Sequence, residues 1–268
     1  ETCLSQGELY TILTNKSAHG GRGSLVAMIQ GTKSDDVVHY LSKLPRTKRL
    51  KVKEITIDLS PSMRLIAKRA FPNATIVSDR FHVQKLMNEA ISDLRVDYRW
   101  QAIDQENQEI AFSKELGRRF LPRTFGKGDT RRQHLARSRH IVMKHRSKWT
   151  ESQRRRADIL FREYPAIEQA YEVSMKLTDI FNMRCNKGVA LTKLARWYEE
   201  VEKLNSKFFN SVIQTMQNNY ATIANYFENR STNASAESFN AKVKAFRNQF
   251  RGVSDIPFFI FRLATIFA

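Results

Sequence analysis

The sequence predicts an α/β core, interrupted by a long helical insertion and completed by C-terminal helices. Three observations carry this. Short apolar runs bounded by turn residues crowd the first eighty positions, helical periodicity alone fills the stretch from about 81 to 226, and two more helical segments close the chain. "ELYTILTN" (8–15) and "SLVAMIQG" (24–31) read as strands, joined into a hairpin by the glycine-rich turn "HGGRG" (19–23). "SDDVVHYLSKL" (34–44) has a serine start, early acids, and Val37, Val38, Leu41 and Leu44 at helical spacing. "KEITID" (53–58) is a short strand, and in the helix after it Ser60 caps while Pro61 takes the first helical position. "ATIVSD" (74–79) is a second short strand. Two buried strands thus each end in an aspartate.

From Phe81 onward the pattern is helical. "FHVQKLMNEAISDLRVDYRW" opens a long amphipathic helix, and "LGRRFLPRTFGKGDTRRQ" (116–133), with its proline and glycines, reads as a loop. "TESQ" (150–153) is a capping-box pattern that starts another helix. "PAIEQAYEVSMKLTDIFN", "ALTKLARWYEEVEKL" and "FFNSVIQTMQNNYATIANYF" follow at helical period. The closing helices are "NASAESFNAKVKAFRNQF" and "SDIPFFIFRLATIF", the second with Ser254 as its cap. The expected division is a core of residues 1–83 and 227–268 around an insertion of residues 84–226.

Charge narrows the function. The 268-residue chain holds 45 Lys and Arg against 27 Asp and Glu, a net +18, and its pI is near 10.1. Residues 114–156 alone contain fifteen cations and three acids. So positive a field favours a polyanion, because each neutralised phosphate releases condensed counterions. Arg131, Arg132, Arg146 and Lys148 in this stretch are candidate DNA contacts. His134, His140 and His145 lie among them without a matching Cys or acid pattern, and Trp149 is the first candidate for stacking on a base. Cys3 and Cys185 are too few for a disulfide framework or zinc site. No run of eighteen apolar residues predicts a membrane span, no signal-peptide pattern opens the chain, and a cytoplasmic protein is expected.

The carboxylates supply the chemistry. In "NASAESFNAKVKAFRNQF", Phe239, Val243, Phe246 and Phe250 form a narrow apolar stripe, while Asn233, Glu237, Asn240, Lys244 and Arg251 share the opposite side. Glu237 alone could be a helix-start acid favoured by the macrodipole. Asp58 and Asp79 at the ends of adjacent strands, with His82 three positions beyond Asp79, make a clustered site the stronger reading. Hard oxygen ligands of this kind hold Mg²⁺ or Mn²⁺, which stabilise in-line attack on a phosphodiester.

"ITIDLSPSMRLIAKRAFPNATIVSDRFHVQKLMNEAISDLR" (55–95) and "STNASAESFNAKVKAFRNQFRGVSDIPFFIFRL" (231–263) resemble the two signature blocks of the ISL-three group of bacterial DDE insertion-sequence transposases. "ETCLSQGELYTILTN" resembles its first block and "ALTKLARWYEE" fits its helical insertion, so the likeness covers nearly the whole chain. It implies a ribonuclease-H-like mixed sheet core with a large all-helical insertion before the last catalytic helix. It also implies that Asp58 and Glu237 are catalytic metal ligands in a two-metal Mg²⁺ or Mn²⁺ site. Asp79 and His82 match "D-R-F-H" and, with Asn233 and Asn240, are expected to support the site. Lys242, Lys244, Arg247 and Arg251 would follow the DNA backbone. Glu1 matches the residue after the family's first catalytic aspartate. That aspartate is therefore expected just before residue 1, and the chain as given is expected to be inactive. The implied activity is strand cleavage and transfer at transposon ends, by a homodimer or larger assembly on nucleoid DNA, without a membrane. A non-catalytic DNA-binding fragment and a structure-specific nuclease on the same core are the alternatives.

Overall fold

The computed structural model describes residues 2–3, 9–126, 128–250 and 255–268. In chain order the elements are β1 (Thr2–Cys3), β2 (Leu9–Thr14), β3 (Leu25–Gln30), α1 (Ser34–Ser42), α2 (Arg46–Leu50), β4 (Glu54–Ile57), α3 (Pro61–Ala70) and β5 (Thr75–Ser78). Helices α4 (Arg80–Glu115), α5 (Arg131–Arg137), α6 (Arg139–Val142), α7 (Glu151–Glu163), α8 (Pro165–Asn182), α9 (Lys187–Lys203) and α10 (Lys207–Asn218) follow. The chain ends with α11 (Tyr220–Asn229), α12 (Ala234–Gln249) and α13 (Ile256–Phe267). It is a mixed α/β protein, mostly helical with small sheets. Two compact units are formed, one by residues 1–80 with 221–268 and the other by residues 81–220.

In the first unit, β1, β2 and β3 make an antiparallel sheet, and β4 and β5 make a separate parallel pair. A single mixed sheet is therefore not drawn by the strand pairing of the described residues. Both faces of the antiparallel sheet are covered. Ile29 packs with Val37 and Leu41 of α1 and with Ile66 and Ala70 of α3, and Leu13 and Ala27 lie against this cluster. On the other face, Leu25 meets Phe239 and Val243 of α12 and Phe259 and Leu263 of α13, with Ile12 and Met28 beside them. Alternation alone would send Leu25 and Met28 to opposite faces, since they are three positions apart. The ladder pairs Leu13 with Ala27 and Thr14 with Leu25, so Val26 is an extra, bulged residue. That bulge restores Leu25 to the α12 face.

The hairpin turn depends on backbone that only a few residues accept. His19 is left-handed, and Gly20 follows at φ +78°. Its carbonyl accepts from Lys242 Nζ at 2.9 Å, and a Cβ at position 20 would come within 2.9 Å of that nitrogen. Several helix starts differ from expectation by one residue. Lys33, not Ser34, is the cap position of α1, and Asp255 caps α13 by accepting from Phe258 N, Ser254 lying outside the described residues. Ser60 holds the cap position before Pro61, but its hydroxyl pairs with that of Ser62 at 2.8 Å instead of bonding the backbone.

The second unit is helical. Thr150 and Gln153 form the expected capping box, and Thr130 and Gln133 form another within the stretch read as loop. Trp149 is no free stacking platform. Its ring stacks on Tyr171 at 5.3 Å, and its Nε1 donates to the Ile141 carbonyl at 3.1 Å. Burial around the same cluster pushes the Tyr171 hydroxyl up to about 12. Asp129, only 3% exposed, accepts from both Arg137 and Arg156. No helix among the described residues is long and apolar enough to cross a membrane.

Candidate metal centre

Strand register brings the two aspartates together. β4 and β5 run parallel with Ile57 opposite Ser78, and the Asp79 N–H donates to the Ile57 carbonyl at 2.8 Å. Continuing that register by one residue sets Asp58 beside Asp79 on strands about 4.8 Å apart. Sites are built at such carboxyl ends because the chain turns away there and leaves side chains facing a crevice. Helix α11 secures this end. Thr222 and Ser78 share a hydroxyl hydrogen bond of 2.7 Å, and Asn225 Nδ2 donates to the Ile76 carbonyl at 2.9 Å.

Asp58 is half-buried, and its Oδ1 accepts from Ser60 N at 2.9 Å, closing the turn that leads into α3. Asp79 is 1% exposed. Glu237 is exposed on the first turn of α12, where the unpaired N–H groups of the helix favour a negative charge. Asp79, His82 and Glu237 each offer one ligand atom, and these atoms lie within 4.8 Å of one another. His82 stands on the first turn of α4, which begins at Arg80, so its place beside Asp79 follows from three residues of local chain. Two ligands of one ion lie up to about 4.2 Å apart, twice a ~2.1 Å metal–oxygen distance, so the group is close to ligating geometry. Asp58 is not among the residues that meet this spacing.

The donor set suits a divalent ion. Two carboxylates supply hard oxygen, and the imidazole adds a nitrogen that Mn²⁺ or Zn²⁺ accepts more readily than Mg²⁺. Asn240, one helical turn after Glu237 on α12, has a buried Oδ1 with no hydrogen-bond partner among the described residues. Asn233 sits at the cap position of α12, where its side chain makes no cap hydrogen bond although its carbonyl accepts from Glu237 N at 2.9 Å. Sequence reasoning assigned His82 a supporting role. The spacing Asp-x-x-His across a strand end and a helix start was the signal that it could stand at ligand distance.

The expected DNA contacts divide sharply. Lys242 holds the Gly20 carbonyl, and Arg247 donates to the Phe250 carbonyl at 3.1 Å while lying over the Phe259 ring. Arg131 donates to Gln105, Arg132 pairs with Glu106 at 3.2 Å, and Arg146 pairs with Glu172. Lys148 and Lys244 are exposed and make no ion pair among the described residues, and Arg251 lies outside those residues. His134 is buried, and burial followed by the Arg156 charge holds its imidazole below the usual value.

Comparison with known proteins identifies a family. A family profile described as Transposase, of the ISL3 DDE type, matches residues 1–263. Neither the curated proteins nor the solved structures yield a match to the chain. Matched over almost all of its 268 residues, the chain belongs to the ISL3 family of transposases.

Proposed function

We propose that residues 1–80 with 221–268 form the ribonuclease-H-like catalytic core of a DDE transposase, which cuts DNA at insertion-sequence ends and joins the freed 3′ ends to target DNA. One observation carries the reading. Glu237 of α12 reaches ligand distance of Asp79, whose neighbour across the parallel strands is Asp58, so acids remote in sequence converge at one sheet end. Asp58 and Glu237 are the catalytic ligands in this reading, and Asp79, His82 and Asn240 complete the surroundings. A bound Mg²⁺ or Mn²⁺ would supply charge stabilisation at the scissile phosphate. The residues themselves orient and hold. Ser60 N–H fixes the Asp58 carboxylate, and the first turn of α12 presents Glu237. Water or a DNA 3′-hydroxyl is the nucleophile, and no side chain becomes covalently linked. Paired ends call for two or more copies of the protein on DNA.

The test is Mn²⁺-dependent cleavage and end joining by the full-length protein. Asp58→Ala and Glu237→Ala are expected to abolish both reactions while leaving DNA binding within about threefold. Retained joining by either variant would remove that residue from the site. Salt-sensitive binding without Mn²⁺-dependent nicking would identify a DNA-binding protein instead, and cleavage of branched DNA without joining a nuclease.

A further inference from the structure

The cations of the second unit are not equivalent once their partners are known. Within residues 114–156, acids engage Arg132, Arg137, Arg146, Arg155 and Arg156. Arg118, Arg119 and Arg123 are exposed and make no ion pair among the described residues. They sit immediately beyond α4, where the chain leaves the helix by a defined turn. Gly117 is left-handed, its N–H donates to the Lys114 carbonyl at 3.0 Å, and Arg118 N–H reaches back to the Ser113 carbonyl at 2.9 Å. This double closure ends the helix and fixes the direction of the segment that follows. Exposed apolar residues interleave with these cations in the sequence. Leu121 is 77% exposed, Phe112 62% and Leu116 49%.

Three exposed apolar side chains within ten residues set this segment apart from singly exposed positions, and the charge interleaved with them favours a polyanion as partner. A second copy of the chain joined by a two-fold axis would set the same arginines against each other. A polyanion removes that repulsion. We propose that residues 112–123 form a DNA-contacting surface of the helical unit, with Arg118, Arg119 and Arg123 on phosphates and Leu121 set against an unstacked base step. Apolar wedges held between backbone-bound cations act in this way on kinked duplexes, where insertion offsets the loss of stacking. Pro122, directly after Leu121, restricts the backbone on which that side chain is presented. The surface shares no residue with the metal centre, and its test does not require catalysis.

The measurement is fluorescence anisotropy of the whole chain with a 30-base-pair duplex and with the same duplex carrying a two-base mismatch. Wild type is expected to prefer the mismatched duplex by about tenfold. The triple variant Arg118→Ala, Arg119→Ala, Arg123→Ala should weaken binding to both, and reduce the slope of log K against log salt by about 0.9 per arginine. Leu121→Ser should leave the slope unchanged and erase the mismatch preference. Unchanged binding by the triple variant overturns the proposal. So does an unchanged mismatch preference in Leu121→Ser, or a loss of self-association by sedimentation in place of a loss of DNA affinity.

Discussion

Asp79 and Asp129 are the same residue at nearly the same depth, 1% and 3% exposed, in two different units of the chain. Their neighbours differ. Asp129 is gripped by Arg137 and Arg156, both from the same helical unit, so its charge is neutralised and its oxygens are engaged. Asp79 has another carboxylate and an imidazole at ligand distance. Two carboxylates and an imidazole gathered at ligand spacing are the donor set a divalent cation takes, which two guanidiniums around a carboxylate are not. Burial of a carboxylate therefore says little about its use. The sign of what surrounds it says more.

The largest expected effect breaks the Asp129 side of the comparison. Asp129→Ala strands two guanidiniums and should cost about 2–4 kcal/mol, below the 3–5 kcal/mol of fully buried pairs because Arg137 is half exposed. Thermal denaturation would report it, and an unchanged melting temperature would demote the arginine pair to surface contacts. The Asp79 side is tested by ligand linkage. Saturating Mn²⁺ should raise the melting temperature of the wild-type chain, since an ion bound only by the folded state stabilises it. Asp79→Asn and Glu237→Gln should each lose most of that rise, with Mn²⁺ affinity falling about tenfold or more, near 1.4 kcal/mol. An equal Mn²⁺ response in both variants would show that the ion binds elsewhere.

A smaller effect comes from His134, beside the Asp129 pair. Its folded value lies below the ordinary 6.5, first because it is buried and second because Arg156 opposes its charge. The unfolded chain then binds more protons, so this contribution is fully present above about pH 6.5 and is lost as pH falls toward the folded value. His134→Gln should flatten the acid side of the stability–pH profile without altering the Mn²⁺ response. Gly20→Ala should be smaller still, about 1–2 kcal/mol for a side chain at positive φ. It would also press on the Lys242 ammonium.

Local rules were legible in the sequence, and partnerships were not. Strand spans at 8–15, 24–31, 53–58 and 74–79 correspond to Leu9–Thr14, Leu25–Gln30, Glu54–Ile57 and Thr75–Ser78, because apolar runs between turn residues set them. Thr150 and Gln153 announced their capping box, and Thr130 and Gln133 carried the same spacing inside a glycine-rich stretch that hid it. The apolar stripe of α12 indicated its buried face, and Phe239 and Val243 lie there. Nothing local could pair Arg132 with Glu106 or Arg146 with Glu172, since each pair is joined only by packing between helices. Trp149 looked exposed among cations, yet its aromatic neighbours come from α7 and α8. The aspartates were visible as strand ends. That His82 stands at ligand distance from both acids required the fold.

Asp79 and Glu237 lie 158 residues apart in the chain. At roughly 5–20 residues per second, a ribosome takes on the order of ten to thirty seconds to add the glutamate after the aspartate. During that interval the nascent chain carries half of the candidate metal centre. The entire helical unit must be synthesised before the centre can close, so a prematurely terminated chain cannot assemble the Asp79–Glu237 pair. If the proposed cleavage takes place at this centre, the order of synthesis is itself a safeguard for the DNA that encodes the protein.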